Sequence, residues 1–376
     1  MAVACLALSL SVIPAGHSAA APVPAAPAIA ARSYVLMDFN GARILAENKA
    51  HVRMEPASLT KLMTAYIVFK ELEKGSIKLD GEVLISENAW RATGSRMFIE
   101  VNKRVLVKNL LQGMIIQSGN DATVALAEHV AGGEDAFAAL MNQYAQSLGM
   151  SETHFVNSTG MPDPQHYTTA HDLAILTRSL IHDFPEYYKW YSEREFTYNE
   201  IKQYNRNTLL WRDEHVDGVK TGHTESAGFC LIASALRDNM RLISVVLGTT
   251  SEEARAQQSQ QLLNYGFRFF ETRRLYEAEK ELTTAPIWKG DSGVLPLGLA
   301  EDLYITIPRG QYDNLTAKMN IDTNITAPAR KNQPYGSVEI MLDGNNIAQR
   351  PLVSLRDVAE GNLFQRLADE VRLLFY

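Results

Sequence analysis

The sequence predicts an α/β protein: an antiparallel sheet flanked by helices, then a small all-β domain and a C-terminal amphipathic helix. Three observations carry this prediction. Apolar residues recur at helical spacing through the middle of the chain, the pattern switches to period two from Val216, and a second run of short alternating segments begins beyond about residue 285. The 376 residues have room for two or three domains, and a hydrophobic fraction of 46% is ordinary for a globular core. A net charge of -7, with no basic stripe beside an aromatic cluster, argues against nucleic acid as a partner.

Residues 1–31 contain no Lys, Arg, Asp or Glu and become rich in Ala and Pro. An apolar stretch of about a dozen residues followed by alanines reads as a secretory signal and cleavage zone, too short to span a bilayer. Cys5 lies in that segment, so Cys230 is left alone and no internal disulfide is expected. Next, "SYVLMDFNGARILAENKA" reads as two strands around an Asn-Gly turn in which Gly41 supplies the positive φ. A helix is expected from Ser58 to Lys74, ended by Gly75, with further helices at 105–116, 122–131, 134–148 and 170–182.

"VDGVKTGHT", "AGFCLIASAL" and "MRLISVVLG" follow as three antiparallel strands, and the next helix starts with a capping box from Thr250 to Glu253. This α/β domain is expected over 32–275 and the β domain over 285–356, where "LYITI", "LTAKMNI", "SVEIML" and "RPLVSL" alternate between turn clusters. The terminal segment, 360–376, places Leu363, Phe364, Leu367, Val371, Leu374 and Phe375 on one helical face. Two readings stand: a helix docked on the β domain, or one lying in the plane of a membrane surface.

The chemistry starts at "PASLTKLMTAY". Ser58 and Lys61 are three apart and share a helical face, so hydroxyl and amine come within hydrogen-bond reach. The apolar residues around Lys61 imply burial, which lowers an ammonium pKa and makes a base at neutral pH, and the positive end of the helix acts in the same direction. A Ser-x-x-Lys match alone arises roughly once per chain of this length, and Ser58 could equally be a helix N-cap. "QSGNDA" adds Ser118 and Asn120 in a tight helix–helix connection, as a proton relay and a substrate-holding amide or as caps of the next helix. "VKTGHT" adds Lys220, Thr221 and Gly222 on an edge strand, either as an exposed strand with a solvated lysine or as one where the glycine marks close approach of another backbone, such as a substrate pairing with the edge. His166 and His171 lack metal-ligand spacing and read as surface or helix-start residues, so no metal and no cofactor are expected.

Together the three motifs resemble the active site shared by penicillin-binding proteins and serine β-lactamases. With "NRNTLLW", "GFRFFET", "AQRPLVSL" and "GNLFQRLADEVRLLFY", the chain after its leader is similar to exported D-alanyl-D-alanine carboxypeptidases of low molecular mass. The resemblance implies a β-lactamase/transpeptidase-like domain, a β-sandwich, and a terminal helix on the periplasmic face of the inner membrane. It implies a substrate, the peptidoglycan stem peptide ending in D-Ala-D-Ala, and covalent inhibition by β-lactam antibiotics. Ser58 would be the nucleophile and Lys61 its base, with Ser118 and Lys220 passing a proton to the leaving D-alanine. The Ser58 and His223 amides would form an oxyanion hole, while Asn120, Thr221, Gly222 and Thr224 would hold the substrate. Arg255 would meet its carboxylate, or else pair with Glu252 or Glu253, and Arg206 would shape the same rim. The alternatives are a serine β-lactamase, disfavoured because Glu152 and Asn157 are five apart where the class A pattern needs four, and a noncatalytic membrane-surface binding protein.

Overall fold

The computed structural model describes residues 23–373; most of the expected leader, Cys5 included, and the apolar Leu374 and Phe375 lie outside the described residues. Strands β1 (Ser33–Asp38) and β2 (Ile44–Asn48) pair antiparallel, as expected, but the turn between them works differently. Ala42 takes the positive φ of 55°, not Gly41. The Asp38 carboxylate accepts the Gly41 N–H at 2.6 Å and so shapes a longer connection than a two-residue turn.

The main sheet runs β2-β1-β5-β4-β3, with β3 (Val216–Thr224), β4 (Gly228–Arg237) and β5 (Met240–Thr249) all antiparallel. Both faces are buried, because alternate residues of each strand feed two different cores. Val35, Met37, Val219, Ile232, Val245 and Leu247 pack with the helical middle. Tyr34, Leu36, Leu231, Ala233 and Val246 pack on the other face with Leu262, Leu263 and Phe267.

In the helical middle, α1 (Lys61–Glu73) is buried over its first nine residues, which is why its sequence is apolar all round. The expected helix over 105–116 is interrupted: Val107–Gln112 is α-helical and Gly113–Gln117 is a π turn. Then come α2 (Asn120–Ala131), α3 (Glu134–Ser147) and α4 (Ala170–Asp183). Helix α5 (Glu252–Phe269) covers the second face, and its N-cap is Ser251, whose hydroxyl accepts the Ala254 N–H at 3.0 Å; the expected box from Thr250 lies one residue early.

Beyond α5, β6 (Phe270–Tyr276) pairs with a later strand, β9 (Leu303–Pro308). Strands β7 (Thr283–Pro286), β8 (Val294–Gly298), β10 (Leu315–Ile321), β11 (Pro334–Leu342) and β12 (Asn345–Ser354) form a second sheet in the order β7-β8-β12-β11-β10. The last helix, α6 (Leu363–Leu373), touches this part through its polar side: Asp369 accepts the Lys289 N–H at 2.8 Å and Glu370 pairs with the Lys289 ammonium. Its apolar side is left outside, with Phe364 84% and Leu363 68% exposed.

Candidate active site

Ser58 lies not in α1 but in the single 3-10 turn Ala57–Thr60 that leads into it, with Pro56 before the turn and no side-chain cap. The capping alternative for Ser58 therefore falls away. Lys61 opens α1 with a side chain 1% exposed, and its Nζ donates to Ser58 Oγ at 3.0 Å and to the Thr159 carbonyl at 2.6 Å. Burial, reinforced by the Arg206 charge and opposed by Asp121 and Glu134, brings the Lys61 amine down to about 7.

A second pair faces the first. Ser118 ends the π turn in the left-handed region, φ 67°, a conformation rare for a serine. Gly119 follows because a β-carbon there would stand 2.9 Å from the Asp121 carboxylate and 3.0 Å from the Met97 nitrogen. From this bend Ser118 Oγ accepts from Lys220 Nζ at 2.9 Å, and Lys220 also donates to the Thr221 carbonyl at 3.0 Å. The Lys220 amine is held well below the usual lysine range, by burial first and then by Lys61, Arg206 and Arg255. Neither Ser118 nor Asn120 caps α2, since Gly119 is the N-cap and no side chain serves it. Asn120 instead donates to the Thr93 carbonyl at 2.6 Å and leaves Oδ1 buried without a partner.

Strand β3 is the sheet edge, as the sequence indicated. The close approach at Gly222 comes from the protein itself: a β-carbon there would meet the Pro56 carbonyl oxygen at 3.0 Å and Leu59 at 3.2 Å. Glycine thus lets the edge strand lie against the turn that carries Ser58. His223 stacks on Phe229 at 4.0 Å, and Thr224 accepts the Ala227 N–H at 3.0 Å. Arg255, 3% exposed, reaches the Gly222 and Arg206 carbonyls at 3.5 Å each and Glu252 at 3.4 Å. Both alternatives for Arg255 are thus present, a lining position and a long ion pair; Glu253 is taken by Arg212.

These residues converge on one cavity of about 190 Å³, lined by Ser58, Ser118, Asn120, Arg206, Thr221 to Thr224 and Arg255. A larger cleft of about 820 Å³, lined by Arg237, Arg273, Arg274 and Arg309, holds no nucleophile paired with a base. The cavity wall includes residues the sequence reading missed: Gly94, Ser95, Thr159, Gly160 and Met161. Asp121 positions the first stretch by accepting the Met97 and Phe98 N–H groups at 2.9 Å each. Asn157 shapes the second, its Oδ1 accepting the Gly160 N–H at 2.7 Å, so "NSTG" was a legible turn signal. Glu152 is spent on a surface pair with His51 at 2.7 Å. Among the described residues no His, Cys, Asp and Glu cluster is fit to hold a metal ion.

A serine hydrogen-bonded to a buried, low-pKa lysine, with a second lysine–serine pair nearby and a cavity bounded by a free sheet edge, is an arrangement with the groups that serine acyl transfer needs. Residues 20–251 match the family described as D-alanyl-D-alanine carboxypeptidase, and residues 270–360 match the C-terminal domain of penicillin-binding protein 5. The chain is 44% identical to the D-alanyl-D-alanine carboxypeptidase DacA of Escherichia coli, covering 94% of this chain and 90% of that one. It is likewise 44% identical to DacC of the same organism, covering 93% and 90%. The crystal structure of penicillin binding protein 5 from Haemophilus influenzae, 45% identical, superposes with a TM-score of 0.83 over 89% of this chain and 99% of that one. The chain belongs to the D-alanyl-D-alanine carboxypeptidase family.

Proposed function

We propose that the protein is a serine D-alanyl-D-alanine carboxypeptidase in which Ser58 is the nucleophile, removing the terminal D-alanine from peptidoglycan stem peptides. The observation that carries this reading is the 3.0 Å contact between the buried amine of Lys61 and Ser58 Oγ, which lines a cavity together with Ser118, itself bonded from behind by the buried Lys220 amine. With Lys61 near 7, a large fraction is neutral at physiological pH and can take the hydroxyl proton. Ser58 Oγ then bonds to the penultimate carbonyl carbon, and the oxyanion develops against the Ser58 and His223 amides; such donors are each worth about 3 kcal/mol. The C–N bond breaks as the leaving D-alanine nitrogen receives a proton through Ser118 and Lys220, and water later cleaves the ester to restore Ser58.

Substrate recognition follows from the lining. The unpartnered Asn120 Oδ1 accepts an amide N–H of the peptide, and the Thr221 to Thr224 edge offers backbone groups to an extended chain. Arg255, with Arg206 at the rim, supplies positive charge for the terminal carboxylate. β-Lactams enter the same path and stay on Ser58, because Glu152 and Asn157 of the segment compared with the class A pattern are engaged elsewhere, Glu152 with His51 and Asn157 with the Gly160 N–H.

The same reading includes export and attachment to the periplasmic face of the inner membrane. A cut ahead of Val23 would preserve the packing of Val23, Ala26 and Ile29 against the second core and the Tyr265 hydroxyl bond to the Pro24 carbonyl, 2.9 Å. The outward apolar face of α6 supports a helix lying in the membrane surface. Among the described residues no helix is long and apolar enough to cross a membrane.

Mass spectrometry after incubation with penicillin tests the site. A long-lived adduct confined to the peptide containing Ser58 is expected, absent from Ser58→Ala. Rapid loss of the adduct with turnover of penicillin would make the protein a β-lactamase, and an adduct elsewhere would remove Ser58 from the mechanism.

A further inference from the structure

His166, expected at the surface or at a helix start, is 2% exposed and packed behind the nucleophile's turn. The Val156 N–H points at its Nδ1 at 3.1 Å, so Nδ1 carries the lone pair and the ring proton sits on Nε2. Nε2 is 2.8 Å from Thr60 Oγ1, and the Thr60 hydroxyl donates to the Ala57 carbonyl, also at 2.8 Å. The donations therefore run one way, from Val156 through the imidazole and Thr60 to Ala57. The last two members of this run adjoin the chemistry, since Ala57 precedes Ser58 and Thr60 precedes Lys61.

The turn needs such a hold. Ala57 has a φ of 47°, a region L-residues avoid because of their β-carbon. The segment carrying His166 meets the turn at two further points. A β-carbon on Gly160 would collide with the Ala57 carbonyl oxygen, and the Thr159 carbonyl accepts from Lys61 at 2.6 Å. Backbone bridges Met54–Thr168 and His154–Tyr167 close this segment under the turn.

We propose that His166, as its Nε2–H tautomer, is a positioning residue for acylation: through Thr60 it holds the Ala57–Thr60 turn in the form that sets Ser58 against Lys61. The inference rests on the reading of Ser58 as nucleophile and Lys61 as base. Protonation would place a second N–H on Nδ1, facing the Val156 N–H, and two donors cannot bond. Burial resists that proton, as do His154 and the Lys61 amine, while Asp163 favours it and the edge-on Phe155 ring closes the remaining side.

The test is stopped-flow acylation of the full-length protein by penicillin, separating the acylation rate from the binding constant. His166→Phe and Thr60→Val should each slow acylation at least about tenfold with binding changed less than about twofold. The double variant should lose no more than the worse single one, because both cut one chain of hydrogen bonds. His166→Gln, which keeps a donor at similar reach, should recover part of the rate. Acylation of wild type on Ser58 with unchanged rates in both single variants overturns the inference and leaves the nucleophile assignment standing; no acylation of wild type on Ser58 overturns both. Should the phenylalanine variant fail to fold, the nitrogen-15 shifts of the wild-type histidines decide: the proton of His166 on Nε2 supports the chain, and a proton on Nδ1 contradicts it.

Discussion

Lys61 and Lys220 are two potential cations enclosed in one site, 1% and 3% exposed, with Arg206 and Arg255 beside them. Each disfavours charge on its neighbour, so the deprotonated amine that acylation needs exists at neutral pH. The rate of acylation by penicillin should therefore rise with pH through about 7, as Lys61 loses its proton, and level off above. Arg206→Gln removes the second cause of the depressed value and should move this limb upward by about half a pH unit, modest because the guanidinium is exposed and screened. A stopped-flow pH profile of both proteins checks this; an unmoved limb would show that burial alone sets the lysine. At this scale the sequence showed the candidate residues that the fold brings together, because a serine, two lysines and an asparagine in apolar or turn settings carry a chemical signature. It hid His166, whose partners Val156 and Thr60 are brought to it only by the fold. Thr159 was hidden too, since it acts through a carbonyl that every residue possesses.

At the scale of elements, the structure departs from the sequence reading where the backbone becomes irregular. Periodicity located α1 to α4 within a few residues, but it cannot separate an α turn from the 3-10 turn at Ala57–Thr60 or the π turn at Gly113–Gln117. Those two irregular turns are the ones that aim Ser58 and Ser118. Strand β6 was not anticipated, because its partner, β9, lies beyond two other strands in the chain. Helix α6 shows the reverse case. Its amphipathic pattern was plain, and the structure adds that the polar side faces the protein, while both cations are already paired: Arg366 with Glu360 at 2.8 Å and Arg372 with Asp369 at 3.3 Å. The proposed attachment to a bilayer would then draw on apolar burial more than on charge. Deletion of residues 360–376 should release the protein into the soluble fraction, with hydrolysis of a small D-Ala-D-Ala peptide changed less than about twofold. A truncated protein that still sediments with membranes would place the attachment elsewhere.

For the whole molecule, the architecture explains why the site can be stiff. The edge strand β3 is backed by a sheet whose two faces are both sealed, by the helical middle and by α5. Onto that edge the fold brings one turn from the start of α1, one from the start of α2 and one arginine from α5, three regions far apart in sequence. Their order along the chain was legible, as was the alternation of the strands. Their convergence was legible only through the family resemblance and not from spacing or periodicity, because it depends on β1 pairing with β5 across the intervening helices. By the function proposed above, this convergence makes Ser58 the nucleophile of a D-Ala-D-Ala carboxypeptidase. The most direct measurement is release of D-alanine from diacetyl-Lys-D-Ala-D-Ala by wild type and by Ser58→Ala. Steady release by wild type and a loss of about a thousandfold or more in the variant are expected; release by the variant at a comparable rate would contradict the assignment of Ser58.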